Sequence, residues 1–347
     1  MALGVRGVRI GCWTHPLGIT GTTVVLPPPG TIGGVALRGA APGSRETDAL
    51  SPTGAVEACH AIVLTGGSAF GLAAADGVMA WCEAQGIGYE LPTVTVPIVG
   101  AAVCFDIRHR GQPRPGRSAG WAACEAAVED DPPQGSVGVG AGCTAGKLAG
   151  REWATKGGQG WSVARSGELT VGALMGVNPV GEVIDETGLV LAGTLAPVGA
   201  PRYPHATMDE IRIWGEARAA EKVEGEPEDD GAAGVPASGR SAGVVPLTNT
   251  VIGCVVTDAK MAKPAICRAA DLAHTGIARA VVPAHTSADG DLLFLLATGE
   301  GPAASVDQVA DLAARAVADA IRSAVLHATA IAGAPVDPRA QRRAARG

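Results

Sequence analysis

Across residues 216–243 the chain loses the composition of a packed protein, and a few residues later it begins one of its strongest strand patterns. Glu221, Lys222, Glu224, Glu226, Glu228, Asp229 and Asp230 stand among Gly, Ala, Pro and Ser. Too few apolar side chains are present to offset the entropy of ordering the backbone, so residues 216–243 are expected to be mobile. The run Pro246-Leu247-Thr248-Asn249-Thr250-Val251-Ile252-Gly253 then turns apolar and β-branched. By propensity alone Thr250 is strand filler. Its place directly behind a loose segment also suits a chain that cuts itself between Asn249 and Thr250. The cut would expose a single residue carrying a nucleophilic hydroxyl and, in its α-amine, a base. A fold with this junction must root Thr250 in a core strand and leave room for the preceding segment to swing away.

The remaining pattern describes a layered protein. Short strands are expected near residues 8–11, 21–26 and 35–37, with Pro27-Pro28-Pro29-Gly30 stopping the second. Residues 61–83 read as strand, glycine turn and helix, and residues 94–105 as β-like. A small-residue helix is expected over 120–128, a flexible glycine-rich turn over 135–142, and strands near 161–165 and 170–177. A turn and a short strand are expected within 181–190. After the acidic segment come a strand over 250–257, a helix over 263–278, strands at 280–283 and 292–296, and a long helix over 305–332. Val306, Val309, Leu312, Val317, Ile321 and Val325 mark the apolar face of that last helix. Strands and helices fall largely in separate runs, which favours α+β layers over a doubly wound sheet. The last hundred or so residues are too few to cover a core alone. One domain spanning residues 1–347 is therefore expected, cut into 1–249 and 250–347.

Composition excludes several classes of function. The chain has 347 residues, 47% hydrophobic but only 3% aromatic, and a formal charge of −7. No basic face with interleaved aromatics points to nucleic acid. No run approaches the roughly 20 apolar residues that span a bilayer, and no charged-then-apolar leader opens the chain. A cytoplasmic protein is expected. The eight cysteines, Cys12, Cys59, Cys82, Cys104, Cys124, Cys143, Cys254 and Cys267, are scattered singly, as buried reduced thiols would be. The seven histidines show no metal-ligand spacing, so neither a metal nor an organic cofactor is expected.

Each candidate for chemistry carries a plainer alternative. Asp289-Gly290-Asp291 reads as a tight polar turn, or as two carboxylates that orient the Thr250 amine and hydroxyl or accept a substrate ammonium. Lys147 reads as a surface lysine, or as a cation that lowers the amine pKa or stabilises developing negative charge. Asn178, before Pro179, reads as turn chemistry or as an amide donor to an oxyanion. The turn holding Gly66, Gly67 and Ser68 could bind phosphate at a helix start, but it matches neither GxGxxG nor the P-loop. Close packing, or one wall of a substrate pocket, fits it better. In self-cleavage Thr250 Oγ would attack the Asn249 carbonyl, the acyl group would shift from nitrogen to oxygen, and water would hydrolyse the ester. The freed amine, with an intrinsic pKa of roughly 8, would then serve as base near neutral pH.

Taken in order, Thr65-Gly66-Gly67-Ser68-Ala69-Phe70-Gly71-Leu72, Ala145-Gly146-Lys147, Val177-Asn178-Pro179-Val180-Gly181, Asn249-Thr250 and His285-Thr286-Ser287-Ala288-Asp289-Gly290-Asp291 resemble the L-aminopeptidase/D-esterase (DmpA-like) family of self-processing hydrolases. The resemblance covers about residues 5–332. It looks closest to the branch of 6-aminohexanoate-oligomer (nylon-oligomer) endohydrolases, which share Asn-Thr at the cut and Asp-x-Asp; the aminopeptidase branch typically has Gly-Ser and Ser-x-Glu. The resemblance implies a four-layer αββα sandwich of the N-terminal-nucleophile type, autocleavage, and assembly into a homotetramer. It implies Thr250 as nucleophile, Lys147 and Asn178 lining the site, and Asp289 and Asp291 orienting it. Phe105 stands where the nylon-hydrolase relatives carry Tyr, so any role of that phenol is replaced or lost. The expected activity is hydrolysis of small linear amides, 6-aminohexanoate oligomers foremost. Release of N-terminal residues from small peptides, as by an aminopeptidase/D-esterase or a β-aminopeptidase, is the second expectation. An uncut scaffold that binds small amines and a nucleotide-binding protein are weaker alternatives.

Overall fold

The computed structural model describes residues 1–203, 205–225, 249–331 and 333–345. Its main elements are β1 (Arg9–Thr14), β2 (Gly21–Leu26), β3 (Ile32–Leu37), β4 (Ser44–Arg45), β5 (Ala61–Thr65), α1 (Ala73–Ala84), β6 (Val99–Val103), α2 (Arg117–Glu125), β7 (Gly158–Ser166), β8 (Leu169–Asn178), α3 (Met208–Gly225), β9 (Thr250–Thr257), α4 (Lys263–Ala278), β10 (Leu292–Ala297) and α5 (Val306–Leu326). They build two five-stranded sheets, one ordered β1-β2-β5-β6-β4 and the other β7-β8-β9-β10-β3.

The side-chain alternation of a strand divides its apolar residues between layers. On β2 and β5, Val24, Leu26, Ala61 and Val63 face a core formed with α1 and α2. Their neighbours Val25, Ile62 and Leu64 turn to the other side. On β9 and β10, Val251, Val255, Leu293 and Leu295 face the core under α4 and α5. Ile252, Val256, Leu292, Phe294 and Leu296 point the opposite way and meet Ile62 and Leu64 between the sheets. Continuous apolar runs such as Leu292-Leu293-Phe294-Leu295-Leu296 are what a strand covered on both faces requires. The layers are therefore α1 and α2, the first sheet, the second sheet, then α4 and α5: the expected αββα sandwich.

Most pairings are antiparallel, but β5–α1–β6 and β9–α4–β10 are parallel crossovers. They are the two places where strands and helices do alternate. The C-terminal stretch supplies β9 and β10, at the interior of the second sheet, and both helices over it. β3, from near the start of the chain, closes that sheet beside β10.

Among the boundaries that differ from expectation, three have an evident physical reason. α2 starts at Arg117, after Pro115 and an extended Gly116, and stops at Glu125. Val128 lies outside it because its backbone pairs with Ile10 of β1. α5 stops at Leu326 rather than 332, because Ser136 Oγ holds the following chain through the Thr329 amide and carbonyl, at 3.0 and 2.6 Å. Of the segment expected to be mobile, residues 216–225 belong to helix α3. Arg212, i to i+4 with Glu216, and Trp214, donating to the Ala149 carbonyl at 2.9 Å, support that helix. Residues 226–243 lie outside the described residues.

All eight cysteines are free thiols, seven of them buried. Among the described residues no helix is long and apolar enough to cross a membrane.

Candidate active site

Thr250 is the first residue of β9, and its Cα pairs with that of Asn178, the last residue of β8. On the other side, the parallel partner β10 is preceded by the turn Asp289-Gly290-Asp291, and Asn249 forms a bridge with Asp289. Strand order alone thus brings the junction, the amide and the two carboxylates to one end of the second sheet. All are buried: Asn178 0%, Asp291 1%, Asp289 2%, Asn249 3% and Thr250 6% exposed.

Thr250 Oγ1 donates to the Asn249 carbonyl oxygen. The Gly290 N–H donates to the same oxygen at 3.1 Å. A nucleophile candidate and a backbone donor thus meet at one carbonyl group. Gly290 is glycine for a spatial reason: a Cβ there would lie 2.7 Å from the Ala41 carbonyl oxygen and 3.1 Å from Thr250 Oγ1. The sequence reading placed Gly290 inside the turn but gave it no role. A backbone N–H leaves no trace in residue type.

The two carboxylates are held differently. Asp291 Oδ1 accepts the Val251 N–H at 2.7 Å, and its Oδ2 accepts from the His285 backbone at 3.1 Å and meets His285 Nδ1 at 2.7 Å. Asp289 Oδ2 accepts from the Thr286 amide and hydroxyl, at 2.8 and 2.6 Å. Asp289 Oδ1 is buried and accepts no hydrogen bond from the described residues. Burial and the neighbouring Asp291 raise the Asp289 pKa above the ordinary carboxylate value. His285, passed over in the sequence, belongs to this cluster. Burial lowers its pKa, but the hydrogen bond and charge of Asp291 outweigh that and raise it overall. It also sits at φ +56°, a left-handed conformation uncommon for non-glycine residues though less so for His, and its ring is anchored on Asp291.

Lys147 is buried rather than on the surface. Its Nζ donates to Asn178 O and to Asn178 Oδ1, both at 2.9 Å. Burial, then the charge of Arg151, pulls its pKa down to about 7. Asn178 Oδ1 also accepts the Thr144 N–H at 3.0 Å, and its Nδ2 donates to the Phe105 carbonyl at 3.1 Å. The amide expected to point at an oxyanion is thus bound to the Phe105 backbone in this arrangement. Phe105 enters the site through that carbonyl, while its ring lies under the Arg151 guanidinium.

Gly66, Gly67 and Ser68 border the same region. Ser68 N donates to the Cys104 carbonyl at 2.9 Å, and Gly67 N to Asp106 Oδ1 at 2.7 Å. Gly67 at φ +86° and Ser68 at φ +52° make the turn, and a Cβ on Gly66 would overlap Asp106 Oδ2. Cys104 Sγ in turn lies 3.9 Å from the Thr250 carbonyl oxygen. The three residues thus reach the Thr250 backbone only through their contacts with residues 104–106. A second buried lysine, Lys156, donates to the Gly140 and Cys143 carbonyls at 2.8 and 2.9 Å, and burial lowers its pKa to about 8. Nothing in its sequence surroundings marks it as buried.

Residues 3–337 match the family model described as Peptidase family S58. An uncharacterised aminopeptidase of Mycobacterium tuberculosis (strain ATCC 25618 / H37Rv) is 41% identical, over 95% of each chain. A 6-aminohexanoate-oligomer endohydrolase of Agromyces sp. (strain KY5R) is 32% identical, over 85% of this chain and 74% of its own. Among solved structures, the L-aminopeptidase D-Ala-esterase/amidase of Ochrobactrum anthropi, described as a variant of the Ntn hydrolase fold, superposes with a TM-score of 0.68 at 17% identity, covering 99% of this chain and 93% of its own. A β-aminopeptidase of Burkholderia sp. gives 0.65 at 20% identity, covering 99% and 92%. With the whole sandwich matched and the family model spanning nearly all of the sequence, the chain belongs to peptidase family S58 and is a hydrolase acting on amide bonds.

Proposed function

We propose that the protein is a self-processing amidohydrolase whose mature nucleophile is an N-terminal Thr250. The observation that carries this reading is the Asn249 carbonyl, which receives hydrogen bonds from both Thr250 Oγ1 and the Gly290 N–H. In the first step Thr250 Oγ bonds to the Asn249 carbonyl carbon, and negative charge develops on the oxygen that Gly290 N–H already contacts. The C–N bond to Thr250 breaks as its nitrogen takes a proton, leaving an ester. Water hydrolyses that ester to an Asn249 carboxylate and frees the Thr250 hydroxyl beside a new α-amine. In turnover the amine takes the hydroxyl proton, Thr250 Oγ attacks a substrate amide, and the amine returns the proton to the leaving nitrogen; water then hydrolyses the acyl ester, releasing the acid and restoring the Thr250 hydroxyl. Asn178 and Lys147 supply positive potential beside the nucleophile, and Asp291 fixes the start of β9 through Val251.

The substrate class is small linear amides with a free amino end. The higher identity to aminopeptidases than to the nylon-oligomer enzymes supports release of N-terminal residues from short peptides. The Asn249-Thr250 junction and the Asp289-x-Asp291 pair support 6-aminohexanoate oligomers as a second substrate group. Assembly into a homotetramer is part of the same reading. N-terminal sequencing of the purified protein tests the cut, with Thr250 expected as a second N-terminus. A panel of aminoacyl amides, β-aminoacyl amides and 6-aminohexanoate oligomers tests the substrate. A protein that stays intact while hydrolysing these amides would overturn the nucleophile assignment.

A further inference from the structure

His285 reaches the start of β9 through a single intermediary. Its ring Nδ1 lies 2.7 Å from Asp291 Oδ2, and its backbone N–H donates to the same oxygen at 3.1 Å. The other oxygen of that carboxylate accepts the Val251 N–H at 2.7 Å. Standard bond lengths put successive backbone nitrogens about 3–3.7 Å apart. A Thr250 α-amine freed by cleavage therefore stands within roughly 6.5 Å of Asp291 Oδ1. A carboxylate at that range favours the ammonium form of an amine. Asp289, whose backbone bridges to Asn249, adds a second acidic group on the same side. Uncompensated, the pair would hold the amine protonated, and a protonated amine cannot take the Thr250 hydroxyl proton.

On this side of Thr250, among the described residues, His285 is the cation placed to offset the pair. Burial works against its charge, but Asp291 and then Asp289 draw the proton onto its ring. Its side chain is 23% exposed, so it can exchange that proton with solvent. His274, from α4, faces it with ring centroids 5.0 Å apart. The His274 Nε2–H donates to the Ala36 carbonyl at 3.1 Å, and burial pulls the His274 pKa down to about 4, so that ring is neutral. Arg38, just after β3, also acts on His274 but is paired with Asp271. Lys147, bonded to Asn178 on the β8 side, acts on Asp289 from across Thr250.

We propose that His285 is a positioning residue of the hydrolase: its imidazolium keeps Asp291 turned to the start of β9 and offsets the paired carboxylates, leaving the Thr250 amine unprotonated and able to act as base. His285 touches neither the nucleophile nor the substrate, and it acts through Asp291. The sign of the effect is fixed. Removing the imidazolium charge leaves more negative potential at the amine, which then holds its proton to higher pH. This inference rests on the proposed Thr250 hydrolase.

The test is the pH profile of kcat/KM on an aminoacyl amide and a 6-aminohexanoate dimer, for self-processed wild type and His285→Asn. Asparagine tolerates φ +56° better than most residues, and its side-chain NH₂ can keep a bond to Asp291 while the charge is lost. His285→Asn is expected to cut itself and to move the acid limb upward by roughly half to one pH unit, the scale of one screened charge acting across a carboxylate. A merely structural role would lower kcat or the melting temperature and leave the limb in place. A limb that stays put or moves down in self-processed His285→Asn would overturn the inference and leave the hydrolase standing. Imidazole NMR of the wild type keeps the test independent of how well the variant folds. His285 is expected to carry its proton at the pH of the acid limb, and a neutral ring there would overturn the inference equally. A wild-type chain that neither cuts itself nor cleaves either compound would remove both.

Discussion

Thr250 and Asn178 share one rung of the second sheet, paired as first and last residues of adjacent antiparallel strands. The nucleophile candidate therefore inherits its position from the register of β8 and β9, and that register is locked by apolar side chains on both faces of the sheet. A one-residue slip would turn Val251 and Val255 away from the core under α4 and α5.

Thr250→Ala should leave the chain at full length on a denaturing gel, where the wild type is expected to give fragments 1–249 and 250–347. Activity on small amides should drop by about a thousandfold or more, as for loss of a nucleophile. Thr250→Ser should still cut. A processed and active Thr250→Ala protein would sink the mechanism.

Gly290→Ala should slow self-processing without abolishing the fold. Its Cβ would press on the Ala41 carbonyl at 2.7 Å and on Thr250 Oγ1 at 3.1 Å. Overpacking of this kind costs roughly 1–3 kcal/mol. Thermal unfolding should show the stability loss, and a time course of cleavage after synthesis should show the delay. Cutting at the wild-type rate would mean that the Gly290 N–H does not position the scissile carbonyl.

Asn178→Ala removes the acceptor of the Thr144 N–H, one of the two acceptors of Lys147 Nζ, and the donor to the Phe105 carbonyl. Each buried group left unsatisfied costs about 1–3 kcal/mol. The kcat of processed enzyme should fall roughly 100- to 1,000-fold if the amide serves an oxyanion. A melting-temperature drop with kcat unchanged would assign Asn178 to the scaffold alone.

Lys147 should make stability depend on pH. Its pKa is about 7 in the fold against the ordinary 10.5. Below about pH 7 folded and unfolded chains both hold the proton, and the fold bears the full cost of burying the charge. Between about 7 and 10.5 only the unfolded chain keeps it, so stability rises with pH. Urea midpoints of wild type minus those of Lys147→Met should therefore climb from pH 6.5 to pH 9. A flat or falling difference would refute the shift.

The strands of β2, β5, β9 and β10 could be read from the sequence because their apolar runs have the length and β-branching of strands covered on both faces. α4 was readable end to end, since Ala262 precedes it in extended conformation and Lys263-Pro264 opens it. The end of α5 was not readable, because Ser136, nearly two hundred residues away, captures the chain there. Residues 216–225 looked too polar to order, yet they continue α3. The motif residues Asn178, Thr250, Asp289 and Asp291 could be named from their order along the chain. Lys156, His285 and the Gly290 N–H could not, since burial, ring contacts and a backbone donor depend on what folds against them.

The sequence by itself determined the layered α+β class and the family, and it marked Thr250 as the start of a strand. These rest on local composition, periodicity and ordered motifs, all of which survive in one dimension. Only the tertiary structure decided that Lys147 is buried against Asn178, that Asn178 is bound to Phe105, and that Gly290 meets the Asn249 carbonyl. Each of those contacts joins segments tens of residues apart, and their geometry is set by sheet order and register, which no local pattern encodes.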